Sequence, residues 1–396
     1  MIPTSPVLAS GERIRLGRLV FVTLALIMVG WYWILVSAIL DSPGAPVSGD
    51  AQSFWNAALR SHWFYDSGER EPLFPFLVKG ASLLGANGVF AVRAVCAASS
   101  ILCLIALLAI GYFRSGFLVG LLAGLLWVFT PSILHYSAQG DRLTLTACLL
   151  VTYAFLLFES KGTRFRTPGL IISGAALSLL RLDMLWVVIL GAVIQGVAKW
   201  NDKAEVKRMA FFTGSAILLF LPYAVTEYLR TGQPLYASGL AARYWANREF
   251  WGPGGLHQSF TEVLSDPYRG GYLSPIQYVF GMHTPGEIVL RFISGYWLLF
   301  TSYFPRFALP WAILWPLASL GLFSRWSKEG KWQFLFVLAI HLPFAFIYPL
   351  DQIGKGSGVE SRFALFGSPL LYLWVGEGVK VILEQVLHLV HKRGGG

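Results

Sequence analysis

"LVFVTLALIMVGWYWILVSAIL" (Leu19–Leu40) is followed, eight residues later, by "GDAQSFWNAALRSHWFYDSGEREPLFPFL" (Gly49–Leu77). The first stretch carries no charge over 22 residues, and about 20 apolar residues suffice for a helix to cross a bilayer. The second holds Asp50, Arg60, Asp66, Glu69, Arg70 and Glu71. A charge next to hydrocarbon costs several kcal/mol (~3) unless it is paired, wet or at the interface. The pattern therefore reads as a first span that opens into a polar loop at one membrane face.

The rest of the chain repeats the first stretch. Of 396 residues, 55% are hydrophobic and 13% are charged, against roughly 25% charged in soluble domains. The apolar runs are continuous rather than alternating, so the spans are helices and not barrel strands. The expected fold is an all-α polytopic membrane bundle, one domain over 1–396, with about ten spans. They fall at 19–40, 89–112, 117–131, 142–158, 168–181, 182–199, 209–226, 307–323, 333–349 and 361–383. The stretch 288–304 is either an eleventh span or a helix along the surface, and the second reading keeps "SRWSKEGKW" on the same side as the other basic loops. The 15% aromatic share, with 15 Trp, suits interfacial belts.

A net charge of +10 would suit a nucleic-acid partner. The basic residues instead gather in short loops, "FRSG", "ESKGTRFRTP", "KWNDKAEVKR" and "SRWSKEGKW", and at both termini. That is the positive-inside pattern, which places these loops and both termini in the cytoplasm. No RNA- or DNA-binding motif is present. Cys96, Cys103 and Cys148 all lie in apolar runs and read as small buried hydrophobes. The two long loops, 41–88 and 227–306, fall on the external side. The first is expected to hold two helices lying flat. One places Asp50, Phe54, Ala57 and Ala58 on a single face, and the other starts near Pro72.

Charged residues cluster at the external ends of the spans. They are Asp50, Glu69, Arg70 and Glu71; Asp141 and Arg142; Arg181 and Asp183 in "LLRLDML"; and Glu360 and Arg362 in "GVESRFALFGSPLL". Each has a structural reading. Asp50 can cap a helix, Arg70–Glu71 and Glu360–Arg362 can be ion pairs, "RLD" can close a hairpin, and Asp141–Arg142 can mark the interface. Together they suit one polar cavity at one level of the membrane. No metal-ligand spacing stands out, and no P-loop or GxSxG motif occurs.

In order along the chain, these segments resemble the polytopic GT-C glycosyltransferases, the class of the protein O-mannosyltransferases and of the enzymes that add aminoarabinose to lipid A. "GDAQSFWNAA" is similar to their "GDExxYxxxA" and "REPLFPFLVKG" to their "PPLYP" segment. "SGAALSLLRLDMLWVVIL" resembles their "GxxLGLAxLTRPxxLLL" span. "TPSILHYSAQGDRLTLTACLLVTYAF" resembles their span pair joined by an external acid, and "ESRFALFGSPLLYLW" their "ERYxLPxxPxL". The chain departs from the pattern at Glu71–Pro72, where "PP" is commoner, and at Asp183. It also ends soon after its last span, without the soluble C-terminal domain of some relatives.

The resemblance implies an inverting transferase that moves a sugar from a polyprenyl-phosphate donor to an acceptor hydroxyl at the external face. The acceptor is a protein, a lipid or a glycan, and the expected place is a bacterial inner membrane with the site toward the periplasm. In this scheme Asp50 is the general base. Arg70 and Arg362 hold the donor phosphate. Glu360 orients Arg362 or touches the sugar, and Glu71, Arg181 and Asp141 complete the donor site. Tyr244, Trp245 and Trp251 are sugar-stacking candidates. No cofactor is required; a divalent metal is compatible with the class but has no ligand set here. The competing readings are an O-antigen ligase or polymerase, which needs no acidic motif after the first span, and a lipid or glycan flippase, whose charges would line a path through the bilayer.

Overall fold

In the computed structural model, residues 10–41, 49–67, 70–159, 165–232, 234–235, 277–349 and 360–394 are described. Three long helices contain the longest apolar runs. α1 (Ser10–Leu40), α4 (Gly88–Ser115) and α10 (Lys203–Thr231) are each long and apolar enough to cross a membrane alone. α5 (Phe117–Phe129) and α6 (Pro131–Ser137) form one apolar stretch bent by 68°. Pro131 lacks the N–H that a continuing helix needs, so the expected span at 117–131 breaks there. α7 (Leu143–Phe158), α8 (Arg166–Leu180), α9 (Leu182–Ala198), α12 (Leu314–Ser324) and α13 (Lys331–Ala345) are shorter apolar helices.

The loop between α1 and α4 contains the two expected helices, α2 (Gly49–Arg60) and α3 (Leu73–Leu83). Pro72 sits at the N-cap of α3. Phe54, Ala57 and Ala58 form the buried face of α2, and Phe54 meets Phe74 of α3 edge-on at 4.7 Å. The stretch 288–304 is helical: α11 (Pro285–Leu298), opened by a Thr284–Glu287 capping box, runs into a π-helical segment, Leu299–Ala308. It crosses α13 where Gly295 faces the Ala345 carbonyl. The expected span at 307–323 begins later, at Leu314. The last one begins as a 3-10 segment, Glu360–Phe366, before α14 (Ser368–Gly394).

Charge closes both ends of the bundle. At the end with the basic loops, Arg114 of α4 reaches Glu377 of α14 at 3.0 Å and Glu159 after α7 at 3.4 Å. Arg325 bridges the same two carboxylates, at 3.1 Å to Glu377 and 2.9 Å to Glu159. Arg166 and Arg208 share Glu205 and tie α8 to α10. Exposed Phe113, Phe117, Phe165, Trp200 and Trp326 ring this end, as aromatic residues do at a membrane–water boundary.

α12 and α14 touch backbone to backbone. A Cβ on Gly321 would lie 1.9 Å from the Trp374 carbonyl oxygen, and one on Gly378 would lie 2.0 Å from that of Leu317. Small residues permit this approach where lipid supplies no hydrophobic drive. Gly321→Val or Gly378→Val therefore forces two helices apart. The expected loss is roughly 1–3 kcal/mol or more, read as a lowered melting temperature of the purified full-length chain in detergent.

Candidate functional site

The site begins with a turn that α4 holds in place. Arg93 is buried in α4 and donates to the Ala138 carbonyl at 2.6 Å and to that of Ile39 at 2.9 Å. Its guanidinium finds its acceptors at the ends of α6 and α1, which explains a cation inside an apolar run. The thiol of Cys96 donates to the Asp141 carbonyl at 2.8 Å. Gly140 has φ +87°, and a Cβ there would lie 2.7 Å from that of Ala51. Only glycine allows α2 to come this close to the turn. That contact brings Asp50, the neighbour of Ala51, level with Asp141.

Around this turn the charges link into a chain. Arg70 donates to Asp50 at 2.7 Å and to the Ser53 hydroxyl at 3.1 Å, with its guanidinium 4.9 Å from the Phe54 ring centre. Arg362, from the 3-10 segment, lies 3.7 Å from the other Asp50 oxygen and 2.7 Å from Asp141. Residues from α2, the loop before α3, the α6–α7 turn and the segment before α14 thus form the run Arg70–Asp50–Arg362–Asp141. Asp50 is its most open member, 32% exposed. Burial pushes the Asp50 carboxyl up, but the charges of Arg70 and Arg362 outweigh that and hold it below its ordinary value. Tyr136 of α6 is half-buried within electrostatic range of Arg362, Asp141 and Arg306.

A second set lies deeper. Arg142 bonds to Glu71 and donates to the Leu180 carbonyl at 2.6 Å. Glu71 also accepts the Leu182 amide at 3.0 Å, so it caps α9. Burial opposes the Glu71 charge, and Arg142 with the Leu182 N–H overcomes it, so this pKa is lowered as well. Arg181 is bidentate to Asp183, at 2.9 and 2.6 Å, and packs among Phe363, Phe366 and Phe344.

The sequence candidates therefore separate. Asp50, Arg70, Arg362 and Asp141 come together in a partly open run. Glu71 and Arg181 lie beneath it, with Glu71 4% and Arg181 2% exposed, each held by a partner. Glu360 opens the 3-10 segment, and its side chain lies outside the described residues. Glu69, Tyr244, Trp245 and Trp251 lie outside them entirely. Arg142 as the partner of Glu71, and Tyr136 and Arg306 at the rim, were not singled out from sequence; adjacency in the chain suggested other pairs. Among the described residues no three metal-ligating side chains come together, and a guanidinium stands between Asp50 and Asp141. Beside the run, a groove of about 250 Å³ opens between the end of α1 and α6, lined by Ile39, Pro131, Leu134, His135 and Ala138.

The buried pair has a pH signature. Glu71→Gln leaves Arg142 uncompensated and is expected to destabilise by about 3–5 kcal/mol, whereas Glu71→Leu with Arg142→Leu recovers most of that. Because the folded pKa of Glu71 is lowered from 4.5, its contribution is full at neutral pH and is lost as pH falls through the folded value. Melting temperatures across acidic pH should drop more steeply for the native chain than for the double-leucine variant.

No protein-family model matches the chain, and no curated protein matches it. Solved structures do. ArnT from Cupriavidus metallidurans, in its apo state, superposes with a TM-score of 0.58 at 12% identity, over 90% of this chain and 59% of its own. The archaeal oligosaccharyltransferase AglB from Archaeoglobus fulgidus, in complex with an inhibitory peptide and a dolichol-phosphate, gives 0.55 at 13% identity, over 94% and 51%. The Archaeoglobus fulgidus oligosaccharyltransferase in complex with Zn and sulfate gives 0.52 at 13% identity, over 91% and 49%. The chain thus spans half to three-fifths of the length of these proteins, and at such identities the likeness is one of fold.

Proposed function

We propose that this chain is a glycosyltransferase that moves a sugar from a polyprenyl-phosphate carrier to an acceptor hydroxyl at the external membrane face. The observation that carries this reading is the run Arg70–Asp50–Arg362–Asp141, drawn from four separate segments to one end of a GT-C-type bundle. Two arginines beside a half-open carboxylate match the needs of the reaction. A phosphate-linked sugar requires cations for the leaving phosphate and a base for the acceptor. The dolichol-phosphate bound to AglB is a carrier of the same chemistry.

The step balances simply. The acceptor oxygen attacks the anomeric carbon from the face opposite the phosphate, and a C–O bond forms. The bond from that carbon to the phosphate oxygen breaks, and its electron pair leaves with the lipid phosphate. Asp50 takes the hydroxyl proton, and the anomeric configuration inverts. Arg70 and Arg362 stabilise the charge that grows on the phosphate. Asp141 holds Arg362 in place, and Glu71 and Arg181 support the walls. The groove between α1 and α6 receives the isoprenoid chain.

The arginines also explain how a carboxylate with a lowered pKa acts as a base. In the free protein they hold the Asp50 proton affinity down. A donor phosphate draws both guanidiniums to itself and adds negative charge nearby. Asp50 becomes more basic when the donor is in place, and not before.

Asp50→Asn keeps the shape and removes the base. Membranes containing this variant, given a radiolabelled polyprenyl-phosphate sugar and membrane acceptors, should lose transfer by about 10²–10⁴-fold with the protein still folded. Full transfer by Asp50→Asn would overturn the assignment. Movement of the labelled lipid between leaflets without a new glycosidic bond would favour a flippase.

A further inference from the structure

At the end of the bundle opposite Asp50, α9 and α10 enclose a groove of about 390 Å³ lined by Ala192, Val193, Gly196, Trp200, Met209 and Gly214. α9 starts at the Arg181–Asp183 turn beneath the candidate site and runs away from it, so the groove is a separate place. The lining is apolar almost throughout. Val193 and Trp200 expose most of their side chains on the outer flank, so the groove opens toward lipid and not into the core. Gly196 and Gly214 keep it open: a Cβ at either would meet nothing within 4 Å.

The rim is charged. The turn after α9 carries Lys199 and the first turns of α10 carry Lys203 and Lys207, with Lys203 and Lys207 exposed and Lys199 half-buried. The carboxylates nearby are already engaged. Asp202 accepts the amides of Ala204 and Glu205, both at 3.1 Å, as the cap of α10. Glu205 is held by Arg166 and Arg208, both at 2.6 Å. The lysines therefore present a net positive edge directly above an apolar slot, with Trp200 at the boundary.

We propose that this groove is a binding site for an anionic bilayer lipid, with one acyl chain along the slot between α9 and α10 and the phosphate headgroup on Lys199, Lys203 and Lys207. A slot lined by hydrocarbon does not hold water well, and in a bilayer the material at hand is an acyl chain. The chain alone fixes no headgroup. The lysines do, because each basic residue near a membrane surface favours an anionic lipid. A second copy of the protein fits less well, since burying this flank would bring the lysine edge into an interface without carboxylates to meet it. The site does not rest on the proposed reaction.

The test uses the purified full-length chain in detergent, with phosphatidylglycerol or phosphatidylcholine of the same acyl chains added in turn and retention read by native mass spectrometry. The expected result is one tightly held phosphatidylglycerol and little phosphatidylcholine. Gly196→Leu fills the slot and should abolish retention of both. The combined Lys199→Gln, Lys203→Gln and Lys207→Gln variant should weaken phosphatidylglycerol about a hundredfold, to the level of phosphatidylcholine. That variant leaves the lining of the slot unchanged, so it decides the matter even if Gly196→Leu fails to fold. Equal retention of the two lipids by the native chain would overturn the proposal. So would unchanged phosphatidylglycerol retention in the lysine variant, or a protein dimer that Gly196→Leu disperses.

Discussion

An arginine cannot lose its charge in a protein, and a guanidinium in or beside hydrocarbon must be given acceptors. This demand organises the bundle. Arg93 takes two carbonyls at the ends of α1 and α6. Arg142 takes Glu71 and a carbonyl at the end of α8. Arg114 and Arg325 share Glu159 and Glu377 at the far end. Each of these arginines joins elements distant in sequence, so satisfying the charge and fixing the helix ends are one event. Packing alone would leave these ends free to slide, because lipid offers helices no hydrophobic reason to associate.

The same constraint accounts for the two tiers of the external site. A guanidinium whose acceptors are all protein groups is closed: Arg181 has a bidentate carboxylate and a wall of aromatic rings. A guanidinium that shares a half-open carboxylate can exchange that partner for another anion. Arg70 and Arg362 meet on Asp50, the most exposed carboxylate of the run. What separates these arginines from Arg181 is thus the openness of their partner.

Much of this was legible in the sequence, and the part that was not has a physical reason. The uncharged run at Leu19–Leu40, the proline at the start of α3 and the apolar face of α2 follow from local rules, and the helices form where those rules place them. The meeting of Asp50, Arg70 and Arg362 followed from their common level in the membrane. Pairing did not follow. Arg70 stands beside Glu71, which invited a local pair, and Asp141 beside Arg142, which read as a mark of the interface. The structure exchanges the partners: Arg70 goes to Asp50, Glu71 to Arg142 and Asp141 to Arg362. Adjacent side chains at the start of a helix point in different directions, so one of each pair turns outward to the run and the other inward to the wall. Spacing along the chain carries no record of this. The bend at Pro131 was equally hidden, because a proline in an apolar run is tolerated in many spans.

That exchange of partners matters for the chemistry. Had Arg70 paired with Glu71, the Asp50 carboxylate would face one arginine fewer and hold a proton more readily. With Arg70 and Arg362 both on Asp50, the carboxylate is held below its ordinary pKa, and an anion that competed for the two cations would release it. In the proposed reaction a lipid-linked phosphate is such an anion, and it would arrive attached to the sugar. On the proposed reaction, activation of the base would be coupled to the arrival of the donor, with no moving part beyond two arginine side chains.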